Sequence, residues 1–70
     1  MNDVLNAFRA GVIAERQFAH TALAARFTVT QWHARCVHLS QRPDIGPEVY
    51  GRLAVALHIL EALDSNETDQ

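Results

Sequence analysis

Histidine and cysteine carry the most reactive side chains in this sequence, and their spacing limits what they can do. His33 and Cys36 stand three apart and share a helix face, whereas His38, five from His33, lies off it. A tetrahedral zinc site needs three or four such ligands, so the pair implies no metal. A nucleophilic Cys36–His33 pair fails for a related reason. No acid lies between Glu15 and Asp44 to orient the imidazole. Cys36 reads instead as a partly buried small residue, and His58 as a boundary residue of a later helix. Paired carboxylates, glycine-rich phosphate loops and nucleophile elbows are absent from the sequence. The expectation is a protein without catalytic residues, cofactor or metal, and hence not an enzyme.

Charge offers a second kind of chemistry. All six basic side chains are arginines, and the formal net charge is −2. Residues 20–42 hold Arg26, Arg35 and Arg42 with no acid, whereas residues 43–70 set Arg52 against six acids. Such asymmetry points to an anionic partner for the middle of the chain, although clustering of acids near the C-terminus produces the same pattern.

The elements that position these groups read as helical almost throughout. Seventy residues make one domain, and 49% apolar content argues against disorder. Asn2 or Asp3 caps a first helix with Val4, Leu5, Phe8, Val12 and Ile13 on one face. Gly11 weakens it, and a break is expected around Arg16–Ala19. A short second helix spans about His20 to Phe27 and buries Leu23, Ala24 and Phe27. Thr28-Val29-Thr30 suits a tight turn, and Thr30 caps a third helix from Gln31 to about His38 with Ala34 and Val37 inward. Leu39–Gly46 reads as a loop, and Gly46-Pro47-Glu48 starts a last helix that reaches about Leu63. Residues 1–63 form the domain, and 64–70, which lack any apolar residue, form a disordered acidic tail. The fold class expected is an all-α bundle of four to five helices.

A core of this size rarely supplies more than about 3–5 kcal/mol, and with one cysteine no disulfide can add to it. Self-association is the remaining staple. On the last helix Val49, Leu53, Ala56, Leu57, Leu60 and Leu63 form the core stripe. Val55, Ile59 and Ala62 broaden it into a candidate homodimer interface, unless the first and last helices cover that arc within one chain. No apolar run is long enough for a membrane span or a secretion signal, so a cytoplasmic location without membrane partners is expected.

The run from His20 to Val37 resembles the helix-turn-helix motif of Cro and the lambda-type repressors. Leu23-Ala24 stands where that motif carries its Leu-Ala pair, Phe27 and Val29 flank the turn, and Ala34 and Val37 fill the inward slots of the second helix. Arg42-Pro43 through Leu57 is similar to the family's following loop and helix. Two departures are Thr28 at the turn, usually Gly, and His20 at the first motif position, usually Gln. The resemblance implies that the second motif helix enters a major groove and presents Thr30, Gln31, Trp32, Arg35 and Cys36. Gln31 would pair with adenine, Arg35 with guanine or a phosphate, and His20, Thr21 and Arg42 with the backbone. In this register Trp32 is exposed; in the opposite one it is core.

Two functions follow. One is a sequence-specific repressor of phage or bacterial type that binds double-stranded DNA as a dimer. The other is a protein-binding inhibitor, antitoxin or anti-host factor on the same scaffold, docking a host or cognate protein through Trp32.

Overall fold

The computed structural model describes residues 2–68 of the chain. It is all-helical, with α1 over Asn2–Ala24, α2 over Val29–Ser40 and α3 over Pro47–Thr68. Three helices replace the four to five expected, because the first two expected helices are one. Arg16, Gln17, Phe18 and Ala19 contain no helix breaker, and Glu15 and Phe18 fasten this stretch to α2. Nor does α3 end at Leu63. It continues through Thr68, so part of the expected tail is helical; Asp69 and Gln70 lie outside the described residues.

The end of α1 is set by Arg26, whose φ of 63° lies in the left-handed region. Around it the Phe27 N–H donates to the Ala22 carbonyl and the Arg26 N–H to Leu23, closing a Schellman turn. Thr28 is extended (φ −92°, ψ 168°) and caps α2: its hydroxyl accepts from the Gln31 N–H, and the Gln31 side chain accepts from the Thr28 N–H at 2.7 Å. Thr28 therefore does the capping expected of Thr30, and Arg26 takes the left-handed position expected at Thr28.

This shift exposes the error in the register expected for α2. Trp32, Cys36 and Leu39 are buried, at the spacing of one helix face, while Ala34 and Val37 are exposed. Burying an indole of roughly 150–250 Å² is worth about 4–6 kcal/mol, against about 1.5–3 kcal/mol for a valine. Bulk decides the face. On α1 bulk at the position itself does not decide: Ala22 is inside because it shares the helix face of Phe18, four residues earlier, and Leu23 and Ala24 are exposed.

The chain runs up, down and up. Trp32 meets Phe18 and Arg35 meets Glu15, so α2 folds back antiparallel to α1. The segment 41–46 carries an Arg42–Asp44 fork at 2.9 and 3.1 Å, and the Gly46 carbonyl takes the first α3 hydrogen bond from the Tyr50 N–H. Helix α3 then lies beside α1, pointing the same way. Their crossing is backbone on backbone. A Cβ at Gly11 would collide with the Glu48 carbonyl, and one at Gly51 with the Phe8 carbonyl. The propensity that Gly11 sacrifices thus permits a close approach no other residue allows.

Inside, Phe18, Phe27 and Trp32 form an edge-on triangle with ring centroids 5.8–5.9 Å apart. Ala19, Ala22, Cys36, Leu39 and Ala56 surround it, with Leu53, Ile59, Leu60 and Leu63 packed alongside.

Candidate functional site

The residues expected to contact DNA separate into two groups. Thr30, Gln31, His20 and Thr21 are exposed near the α1–α2 turn. Gln31 is occupied by the cap, and the Thr21 hydroxyl donates to the Gln17 carbonyl at 3.4 Å. Trp32 and Cys36, by contrast, are core residues and not a recognition surface. Trp32 has 0% exposure, and its indole N–H finds no acceptor among the described residues.

Arg35 is committed to the interior. Its guanidinium binds both carboxylate oxygens of Glu15, at 2.5 and 2.7 Å, and stacks 3.6 Å above the Phe18 ring. Glu15 is fully buried. One acid outside the acid-free window thus neutralises the arginine that the motif assigned to guanine or a phosphate. Arg42 is held by Asp44, and it keeps that carboxyl below the usual range, chiefly through the side-chain hydrogen bond. Burial, helped by the Glu15 charge, pushes the Cys36 thiol up, which favours its protonated form. No cluster of three or more His, Cys, Asp or Glu residues occurs among the described residues. None of the described helices is long and apolar enough to cross a membrane.

The expected dimer surface is rearranged as well. Ile59 packs against the core, Val55 is half-buried, and only Ala62 is exposed. Val55 shares a concavity with Phe8 and Val12 of α1. Leu57, expected inside, is 44% exposed.

A different surface stands out, one the sequence reading missed. Where the first turns of α1 meet the start of α3, an open apolar groove of about 750 Å³ lies among Val4, Leu5, Phe8, Ile45, Pro47 and Tyr50. Val4 is 61% exposed, Tyr50 55% and Leu5 49%. A second, smaller concavity, which shares Phe8 with the first, lies farther along the α1–α3 seam among Val12, Arg16, Ala54, Val55 and His58. A signal for it exists in the sequence. Val4 and Leu5 lie about a turn ahead of Phe8, where the close crossing begins, so α3 covers them only in part.

The groove is thus built by three local features: the helical phase of Val4 to Phe8, the Ile45–Pro47 helix start, and the glycine crossing. In comparisons with known proteins, no family model matches this chain, and neither a curated protein nor a solved structure does.

Proposed function

We propose that this chain is a small helical protein-binding module whose docking face is the groove at the start of α1 and α3. The observation that carries this reading is the cluster of Val4, Leu5 and Tyr50, each about half exposed or more, around one concavity. Single exposed apolar residues are ordinary, but a contiguous concave set marks an interaction surface. A second reading keeps the DNA-binding repressor. It is favoured by the exposure of Thr30, Gln31, His20, Thr21 and Arg26 together at the α1–α2 turn. Arg26 makes no ion pair among the described residues.

In-cell photocrosslinking separates the two. A photoreactive side chain at Val4 is expected to capture a discrete protein, and one at Ala34, on the exposed face of α2, to capture none. Crosslinks to DNA from position 34, with none to protein from position 4, would reverse the order of the readings.

A further inference from the structure

The α1–α3 seam changes character along its length. Val4, Leu5 and Tyr50 make one end apolar, Phe8 belongs to both stretches, and Arg16 and His58 line the other end. Residues 4 to 16 of a helix rising 1.5 Å per residue span about 18 Å, the length of about three turns of a second helix laid alongside. Arg16 lines the seam, and Arg9, two turns earlier, is exposed on the same face of α1.

These two arginines are uncommitted. Arg35, Arg42 and Arg52 are each held by an acid of the chain, whereas Arg9 and Arg16 make no ion pair among the described residues. Nearby acids do not serve them: Asp3 sits at the helix start, and Glu15 is buried against Arg35. Across the seam, Glu48 of α3 is held by Arg52 at 2.9 Å, and Glu61 stands nearly a turn beyond His58 in the sequence.

Building on the protein-binding reading, we infer that the occupant of the seam is an acidic amphipathic helix of a partner protein. Its apolar side chains enter among Leu5, Phe8 and Tyr50, and its carboxylates lie over Arg9 and Arg16. The shape favours this occupant over others. A concave furrow accepts a helix, whereas a lipid surface requires an apolar crest. DNA offers no apolar side chains for the groove. A second copy is poorly matched, since the acidic segment 64–70 of this chain contains no apolar residue.

The test is selection of displayed random peptides of about four helical turns against the full chain, followed by affinity measurement on the synthesised consensus. The expected consensus has apolar residues at helical spacing in one half and Glu or Asp in the other. Its affinity should fall about tenfold or more for Arg9→Glu/Arg16→Glu, and a version with lysines for acids should prefer that variant over wild type. Both arginines are exposed, so circular dichroism melts of the variant should match wild type. A neutral or basic consensus that still loses binding with Leu5→Ser/Tyr50→Ser keeps the docking face and overturns the acidic partner. Peptides indifferent to Leu5→Ser/Tyr50→Ser, or none enriched, overturn the docking face too. A wild-type dimer dissociated by Tyr50→Ser would put a second copy in the furrow, which equally overturns the inference.

Discussion

Trp32→Ala is expected to abolish the cooperative thermal transition, leaving a chain with weak helical signal at 25 °C. Truncating a fully buried aromatic costs about 3–5 kcal/mol, the sum of lost transfer energy and the cavity left behind. Trp32 has 0% exposure and contacts both Phe18 and Phe27 edge-on, so its loss opens the centre of the core. A domain of this size has about that much stability in total. Trp32→Phe should retain the transition, with a lower midpoint. It keeps a ring in the triangle, and the indole N–H it removes has no acceptor among the described residues. Circular dichroism melts on the pair provide the check, and Trp32→Ala melting like wild type would contradict the burial of the indole.

The second large effect lies in the Glu15–Arg35 pair. Removing one partner of a buried ion pair leaves an uncompensated charge and costs about 3–5 kcal/mol, whereas replacing both by apolar groups is often neutral. Arg35→Ala strands the fully buried Glu15 carboxylate and removes the guanidinium from the Phe18 ring. It should be as damaging as Trp32→Ala. Glu15→Leu/Arg35→Met should recover most of the loss, because no charge then remains in the interior. Urea denaturation of Glu15→Leu, Arg35→Met and the double variant, with a stabilising osmolyte present throughout to keep the single variants folded, forms a thermodynamic cycle, in which strict additivity would show that the two groups do not act as a unit.

Those two sites also show what the sequence made legible. The all-helical class and the start of α3 follow from local signals: apolar residues three and four apart, and Gly46-Pro47-Glu48. The reversal between α1 and α2 was also visible near the Thr28 triplet, but its details were not. Phase within α2 depends on which side chains gain most by burial, a tertiary competition between Trp32 and Val37. Alignment to the helix-turn-helix pattern favoured Ala34 and Val37 by position and so turned the helix the wrong way round. The ion pair was hidden for a related reason. An acid in α1 and an arginine twenty residues later are each ordinary surface residues until the chain reverses between them. Gly11 read as a defect because its use lies in another helix. The groove needed that same information, since Val4 and Leu5 look like core residues until the position of the crossing is known.

The backbone crossing at Gly11 and Gly51 bears on the order in which the molecule folds. Contacts within the α1–α2 hairpin close short loops, whereas the α1–α3 seam closes only after α2 has carried the chain back, at a greater entropic cost. The aromatic triangle around Phe18 should therefore be structured in the rate-limiting ensemble, with the seam joining late. Stopped-flow kinetics would display this as a division of labour: Phe18→Leu slows refolding, and Gly51→Ala mainly hastens unfolding. Residence time in the folded state is then governed by two residues that have no side chain.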